Sequence, residues 1–196
     1  MPSRSEAGPR RLPSQARGRA RVERLLAAAT GEIAESGYLK ATMCGIAARA
    51  DTAIGSLYQF FPNKESVAEA LRARYAAAGE PLWAELTRQA PTLAAGEIAR
   101  QLVQLMQEQV RRGPAFPALL DAPRTAGSER RREQFRRHIA AVLRARQPRL
   151  TTAVALRHAA VVQQLLRGLL SLGGAHAGEF EEILTRYLQP RLEKHS

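Results

Sequence analysis

The chain has 196 residues, of which 45% are apolar and 24% are charged, a balance typical of a folded protein rather than a disordered one. No apolar stretch approaches the roughly 18 residues of a membrane-spanning helix, and no apolar run follows the basic N-terminus, so neither a transmembrane segment nor a secretory signal is expected. Lysine and arginine number 30 against 18 acidic residues, and the net charge of +12 favours an anionic partner, with nucleic acid first.

The N-terminal segment is basic and lacks the spacing of a folded helix. Residues 1–24 carry seven arginines against two glutamates, and the part up to Gly18 shows no periodicity, which predicts a basic disordered arm over residues 1–18. From Val22 to Ile33 apolar residues recur at the spacing of one buried helix face. Gly37 is expected to end this first helix.

Two short helices and a long one are predicted next. Thr42 is suited to cap a short helix through residue 50, and Asp51 begins a turn. A second short apolar run covers residues 54–61 and stops at a proline. Asn63 then caps a longer helix, which we expect to end at Gly79-Glu80-Pro81.

The remainder of the chain continues as helices. The pattern predicts, in order, a short helix containing Trp83 and Leu86, a helix over about 98–109, one turn at 116–120, a helix ending before Pro148, a very apolar helix over about 152–172 and a last helix over about 178–192. No segment alternates with the period of two residues that marks a strand. The expected fold class is all-α.

Residues 37–65, GYLKATMCGIAARADTAIGSLYQFFPNKE, have the proportions of a helix-turn-helix unit. Small residues such as Ala47 and Ala50 allow the two short helices to cross closely. Leu57 and Phe61 are expected beneath them. Polar or flat side chains that packing does not require, above all Tyr58, remain on the outer face of the second helix, where phosphates and bases could be contacted.

These residues resemble the DNA-binding region of the TetR family, the tetracycline-repressor-like regulators. The resemblance covers residues 20–71 and is carried by IAARA and by GSLYQFFPNKE. It implies a three-helix DNA-binding domain, a helical ligand-binding domain behind it and a homodimeric assembly. Asp51 stands where the family usually has glycine, and Ala53 stands where serine often caps the recognition helix. Either Thr52 supplies that cap one residue earlier or the cap is missing, at a cost of about 1 kcal/mol.

The predicted DNA contacts combine phosphate positioning with base reading. Tyr58 is expected to donate its hydroxyl to a phosphate. Lys64 is expected to contact a phosphate because a cation at a helix N-terminus suggests an external anion. Gln59 can bind adenine and Ile54 can press on a thymine methyl group. The full predicted set is Thr42, Ile54, Gly55, Ser56, Tyr58, Gln59, Phe60 and Lys64, with Arg17, Arg19 and Arg21 ahead of them.

The predicted C-terminal domain has two further roles. The last two helices are too apolar for one subunit to cover, so their pairing with a second copy predicts a four-helix dimer interface containing Val161, Leu165, Leu169, Leu172, Phe180, Ile183, Leu184 and Tyr187. An effector cavity could be lined by Trp83, Met106, Phe116, Phe135 and His138, although core residues have the same pattern. The arginine-rich segment 129–149 is expected to be a solvated face, with a site for an acidic effector as the alternative.

The sequence therefore predicts a DNA-binding regulator organised as an arm (1–18), a helix-turn-helix domain with its connecting helix (19–79) and an effector-binding and dimerisation domain (80–196). The expected function is repression at a palindromic double-stranded operator, relieved by a small molecule. An activator of the same fold, or a helical protein–protein adaptor without an operator, is the alternative. Four scattered histidines, the single Cys44 and the absence of catalytic motifs predict no enzyme activity, no metal site and no cofactor. The expected location is the cytoplasm.

Overall fold

The computed structural model describes residues 12–193, which form eight α-helices and no strand. The helices are α1 Leu12–Lys40, α2 Met43–Arg49, α3 Ile54–Phe60, α4 Lys64–Gln89, α5 Ala95–Arg112, α6 Ala126–Arg146, α7 Thr152–Leu172 and α8 Ala177–Leu192. None of these helices is long and apolar enough to cross a membrane. The predicted all-α class, with a helix-turn-helix unit ahead of a helical C-terminal part, is confirmed.

Helix α1 begins earlier than the sequence pattern predicts. Its first residue is Leu12, so the disordered arm predicted over residues 1–18 is wrong for residues 12–18. Alanine, arginine and glutamine predominate from Gln15 to Arg21, and these helix-forming residues extend α1 without any apolar spacing. The rest of the predicted arm, residues 1–11, lies outside the described residues.

Gly37 interrupts α1 near its C-terminal end. Its φ of 76° and ψ of 158° are non-helical, and the positive φ is one that glycine adopts without steric cost. One more turn follows, in which Ala41 N donates to Gly37 O at 3.0 Å. The break that the sequence predicts at Gly37 is therefore present, and the chain continues directly towards α2.

Helix α4 is longer than predicted. The expected end at Gly79-Glu80-Pro81 is wrong, because α4 continues to Gln89 with Pro81 inside it, and Trp83 lies on the same helix as Lys64. Proline leaves the carbonyl of Ala77 without its helical donor, but Pro81 and Ala77 are both exposed, so water can satisfy that carbonyl. The division predicted between residues 79 and 80 falls inside this continuous helix.

The buried apolar residues form two clusters, and α4 contributes to both. The first cluster joins α1, α2, α3 and the N-terminal half of α4, with Ile33, Ile46 and Leu71 among its fully buried members. The second joins the C-terminal half of α4, from Trp83 onward, to the four later helices. The segment between α5 and α6 belongs to the first cluster, because Ala115, Leu119 and Ala122 pack there.

One arginine fastens that segment to α4. The Arg72 guanidinium donates to the carbonyl oxygens of Leu119 at 2.7 Å, Ala122 at 2.9 Å and Pro123 at 3.2 Å. Burial lowers the pKa of Arg72, with Arg131 and Arg167 acting in the same direction and Glu69 opposing them. The segment 115–122 therefore moves with α4 and with the helix-turn-helix unit.

Helix α8 contributes buried residues to the second cluster. Leu184, Leu188 and Leu192 are at most 1% exposed and pack in the same cluster as the buried face of α5. The free energy of unfolding should therefore fall by about 2–5 kcal/mol in Leu188→Ala, because the variant loses buried area and leaves a cavity. Chemical denaturation measures this loss. Gln189→Ala, at the neighbouring exposed position, should stay within about 0.5 kcal/mol of wild type. Equal stability of the two variants would contradict the packing of α8.

Candidate nucleic-acid interface

Local hydrogen bonds fix the turn between α2 and α3. The Thr42 hydroxyl accepts a hydrogen bond from Gly45 N at 2.9 Å, which confirms the predicted N-cap of α2. Asp51 has a φ of 48°, the one positive value among the described non-glycine residues, and aspartate tolerates this region better than most residues. Asp51 N donates to Ala48 O and Thr52 N to Ala47 O, each at 3.1 Å. The turn therefore forms without the usual glycine.

Helix α3 buries one side and presents the other to solvent. Leu57 is fully buried and Phe61, at its C-terminal end, is 7% exposed. Ser56 is half-buried, and no described atom lies within 4 Å of a Cβ placed on Gly55. The remaining side chains of the predicted reading surface are exposed and include Ile54, Tyr58, Gln59 and Phe60. The structure thus leaves these predicted DNA contacts exposed on one seven-residue helix.

The N-terminus of α3 lacks a side-chain cap. Ala53 occupies the cap position, and the Thr52 hydroxyl accepts a hydrogen bond from the Arg21 guanidinium at 3.3 Å. Of the two alternatives left open by the sequence, the missing cap is therefore the one observed. Arg21 thus links α1 to the turn of the helix-turn-helix unit, and its contact with a phosphate remains a prediction.

Of the two other predicted arginines on α1, Arg19 lies near the end of α3. Arg17 and Arg19 are both exposed on the first turns of α1. Arg19 and Phe60 line one shallow surface pocket together with Val22, so the start of α1 lies beside the C-terminal end of α3. The positive charge of α1 is therefore adjacent to the exposed surface of α3.

Lys64 contacts protein atoms in a way the sequence did not reveal. Its ammonium donates to the carbonyl oxygens of Tyr38 at 2.8 Å, Leu39 at 3.2 Å and Ala41 at 2.9 Å. It also lies 4.5 Å from the centre of the Tyr38 ring. The end of α1 offers the negative pole of a helix, so a cation is stabilised there. These carbonyls explain a lysine at the start of α4 without an external anion, and its contact with DNA remains a prediction.

Two residues missed by the sequence analysis surround that lysine. Tyr38 is buried, and its hydroxyl donates to Glu65 Oε1 at 3.5 Å. Burial raises the pKa of Tyr38, and the charge of Glu65 raises it further. Leu39, by contrast, is 74% exposed beside the helix-turn-helix unit. Neither follows the periodicity of a buried helix face, so apolar spacing gave no signal for their roles.

A cavity of about 200 Å³ lies between α4, α5, α6, α7 and the segment 115–122. All five residues proposed from the sequence line it, namely Trp83, Met106, Phe116, Phe135 and His138. The Trp83 ring is stacked on the His138 ring with centroids 5.5 Å apart and meets the Phe135 ring edge-on at 5.1 Å. His138 Nε2 lies 3.1 Å from Glu80 Oε1. One wall of the cavity is therefore aromatic.

The cavity also carries positive charge from arginines, some of them in the segment 129–149, for which the sequence left an acidic-effector site as the alternative. The arginines that line it are Arg72, Arg124, Arg131, Arg132 and Arg167. Arg131 forms an ion pair with Glu69, which also accepts a hydrogen bond from the Thr125 hydroxyl at 2.9 Å. Burial would raise the pKa of Glu69, but these hydrogen bonds outweigh it and lower the pKa. The segment 129–149 thus turns part of its positive charge inward and is not wholly a solvated face.

The predicted dimer surface is only partly exposed. Leu169 and Leu184 are 2% and 0% exposed within one chain, so their assignment to an interface is wrong. Their helices pack against α5 and α6 before any partner is added, and apolar spacing does not distinguish these two kinds of burial. The other six residues are half-buried or exposed on α7 and α8: Val161, Leu165, Leu172, Phe180, Ile183 and Tyr187. Both helices therefore keep apolar side chains that the rest of the chain does not fully cover.

No cluster of three potential metal ligands from histidine, cysteine, aspartate and glutamate occurs among residues 12–193. Cys44 is exposed on α2. Among residues 12–193, the one histidine side-chain contact outside the cavity is that of His158, whose Nδ1 lies 3.1 Å from the Tyr187 hydroxyl. Burial, with Arg191 and Arg157, lowers the pKa of His158.

Comparison with known proteins agrees with this geometry. Residues 25–71 match the family model of the bacterial regulatory proteins of the tetR family. No curated protein sequence is similar enough to count as a match. The resemblance of the helix-turn-helix region to the TetR family is confirmed.

Solved structures share the fold across most of the chain. The regulator FadR from Bacillus subtilis, solved with stearoyl-CoA, is 15% identical with a TM-score of 0.61 and aligns over 83% of this chain and 97% of its own. A TetR transcriptional regulator from a Rhodococcus species is 21% identical with a TM-score of 0.61, over 92% and 99% of the two chains. The SmeT–triclosan complex is 21% identical with a TM-score of 0.54, over 87% and 85%.

The carbonyl contacts of Lys64 generate a stability prediction that does not involve DNA. Lys64→Met keeps the apolar stem but removes three charge-assisted hydrogen bonds, so the free energy of unfolding should fall by about 1–3 kcal/mol. Denaturant titration of the free protein measures this. Lys40→Met, which replaces an exposed lysine on α1, is the matched control and should change stability little. A Lys64→Met protein as stable as wild type would show that the carbonyl contacts do not hold α4 to the end of α1.

Proposed function

We propose that the protein is a homodimeric transcriptional repressor that binds a palindromic DNA operator through α3 and leaves it when a small molecule enters the cavity. The observation that carries the proposal is the outer surface of α3. Ile54, Tyr58, Gln59 and Phe60 are exposed on a seven-residue helix whose other side is fixed by buried Leu57. None of these four side chains is buried in the core, so contact with a partner molecule best explains their exposure.

The chemistry of that surface suits a DNA major groove. Tyr58 and Ser56 offer hydroxyl donors to phosphates, and Thr42 offers its hydroxyl at the start of α2. The Gln59 amide can pair with adenine N6 and N7, and Ile54 can contact a thymine methyl group. Gly55 lets the groove approach the backbone of α3. The net charge of +12 supplies the attraction that draws the protein to DNA before any base is read.

A second copy would cover the apolar face of α7 and α8. On α7, Val161, Leu165 and Leu172 follow one another at helical spacing, as Ile183 and Tyr187 do on α8. Val161, Leu172 and Ile183 are exposed, whereas Leu165 and Tyr187 lie at the edge of the second cluster. A two-fold axis through this face would pair both helices with their mates as a four-helix bundle. The two copies of α3 would then be positioned for two successive half-sites of a palindrome.

The cavity is placed to influence DNA binding. Arg72, Tyr75 and Phe116 line it and also contact the first apolar cluster or the segment packed there. The Tyr75 hydroxyl lies 3.2 Å from the Thr30 hydroxyl on α1, which links α4 to the helix-turn-helix unit. A ligand that favours a different position of α4 would shift the population away from the spacing that fits DNA. FadR and SmeT, solved with small molecules, support this reading by their shared fold.

Two other functions share some of these features. An activator would use the same DNA contacts, and differ only in where its operator lies relative to the promoter. A helical adaptor without an operator would leave the exposed surface of α3 to a protein partner, and its DNA binding would be electrostatic and easily reversed by salt. The uncapped α3 and its flat, exposed side chains favour the DNA-binding reading. No enzyme activity is part of the proposal, and the protein would act in the cytoplasm, where bacterial DNA lies.

Two variants of α3 distinguish a base contact from a phosphate contact. Gln59→Ala should cost about 1–3 kcal/mol on the duplex that the protein binds best and little on unrelated DNA. Tyr58→Phe removes only the hydroxyl and should weaken both duplexes by a similar factor, because a phosphate contact carries no sequence information. Binding isotherms on both duplexes at two salt concentrations measure these differences. If Gln59→Ala weakens both duplexes equally, Gln59 is not a base contact.

A charged substitution in the proposed dimer interface tests whether the protein dimerises there. Ile183→Glu places a carboxylate in the centre of the proposed interface, so the variant should sediment as a folded monomer at micromolar concentration where wild type is a dimer. Gln189→Glu adds the same charge at an exposed position on a different side of α8 and should remain dimeric. Sedimentation equilibrium measures the mass, and circular dichroism verifies that both variants are helical. A dimeric Ile183→Glu protein would place the interface elsewhere.

A further inference from the structure

The cavity is chemically divided along α6. Arg131 and Arg132 lie near the N-terminal end of this helix, whereas His138 lies seven residues after Arg131, about 10 Å along the axis. Arg167 of α7 belongs to the arginine end, since Gln163, one turn before it, donates from Nε2 to Arg132 O at 2.9 Å. The aromatic wall of Trp83, Phe135 and His138 occupies the other part. A ligand that fits both parts has one apolar region and one anionic region.

Positive charge is in excess at the arginine end. Glu129 is the one carboxylate within ion-pairing distance of Arg124 and Arg132 among the described residues, and the gaps are long, at 3.8 and 3.9 Å. Arg167 has a single long hydrogen bond, 3.5 Å, to the carbonyl oxygen of Leu120. Two guanidinium groups thus share one carboxylate, and no carboxylate of residues 12–193 lies within ion-pairing distance of Arg167. Burial lowers the pKa of Arg132, and the charges of Arg124 and Arg167 lower it further, so a bound anion would relieve this repulsion.

One polar side chain that lines the cavity, Gln109, lacks a protein partner among the described residues. The Gln109 side chain is only 6% exposed and lines the cavity, yet no hydrogen bond joins its amide to any residue from 12 to 193. The amide lies against Gly79, where a Cβ would be 2.1 Å from Gln109 Nε2. Polar groups away from bulk solvent are normally paired, so the Gln109 amide points to a polar ligand atom.

The volume limits the size of the ligand. Apolar cavities of about 150 Å³ hold one benzene molecule. A cavity of about 200 Å³ therefore accommodates one aromatic ring with a short substituent, and does not enclose a long acyl chain. An aromatic ring can also pack against the edge-on pair of Trp83 and Phe135.

We infer that the cavity binds a small aromatic carboxylate, with its ring against Trp83 and Phe135 and its carboxylate towards Arg132 and Arg167. The inference rests on the proposed function, since it names the chemical class of the molecule that releases DNA. Arg132 and Arg167 determine specificity by charge, and the planar guanidinium of either can hold both carboxylate oxygens. A neutral molecule of the same shape lacks this interaction and leaves the arginine excess uncompensated.

Trp83 provides the readout, because it is the only tryptophan in the chain and lines the cavity. Tryptophan fluorescence of the full-length protein is titrated with 3-phenylpropionate and with its neutral isostere 3-phenylpropanamide. The acid should bind at least tenfold more tightly than the amide. Equal binding of acid and amide overturns the inference, as does the absence of saturable change with the acid up to about 10 mM.

Two variants test whether the preference for the acid over the amide arises in the cavity. Arg132→Gln should reduce the affinity for the acid at least tenfold and leave the affinity for the amide within twofold. Arg130→Gln removes the same charge two residues away on α6, at an exposed position outside the cavity, and should alter neither. Thermal denaturation establishes that both variants are folded. If the two variants weaken acid binding equally, net charge and not the cavity explains the preference, and the inference fails.

A separate arm distinguishes this inference from the proposed function. The acid is added to the protein bound to its best duplex, and DNA release is followed by fluorescence anisotropy. If the acid shows the expected preference for the cavity but leaves the duplex bound, the ligand class stands and ligand-controlled release fails. If the protein binds no duplex specifically, the proposed function fails while the fluorescence titration still decides the ligand class.

Discussion

The structure depends on one continuous helix that belongs to both apolar clusters. The N-terminal half of α4 buries Val67 and Leu71 against the helix-turn-helix unit, and its C-terminal half buries Trp83 and Leu86 against the four later helices. Because α4 packs in both clusters, a displacement of α4 at the cavity would also change its contacts with the helix-turn-helix unit. Pro81 does not interrupt this connection, since the carbonyl it leaves unpaired is on the solvent side.

Polar contacts fasten α4 at each level where its position matters. Lys64 binds the carbonyls at the end of α1, Tyr75 meets Thr30 in the middle, and Arg72 holds three carbonyls of the segment 115–122. Arg72 also lines the cavity. A charged ligand there would compete for, or rearrange, the same electrostatic environment that fixes the segment. In this account, ligand recognition and DNA recognition are coupled because they share one helix and its polar contacts.

Sequence reasoning succeeded where the determinants are local. The caps at Thr42 and Asn63 depend on residues within one turn, and Asp51 tolerates a positive φ wherever it stands. Prediction from the sequence failed where the burial of a residue depends on helices that are distant in the chain. Apolar spacing on α8 could not show that Leu184 faces α5 rather than a second subunit. The arginine run allowed a site for an acidic effector only as an alternative and did not show that Arg132 lines a cavity. Both facts arise from how helices far apart in the chain pack together.

Selection of duplexes from a random pool by the full-length protein, at about 200 mM salt, tests the central claim most directly. The account predicts enrichment of a two-fold symmetric sequence whose half-sites are centred one helical turn, or a multiple of it, apart, since two copies of α3 would enter successive major grooves. It also predicts that binding to this sequence survives at that salt concentration, where purely electrostatic contacts are largely lost. A pool that remains random, with binding that disappears as salt is raised, would contradict it.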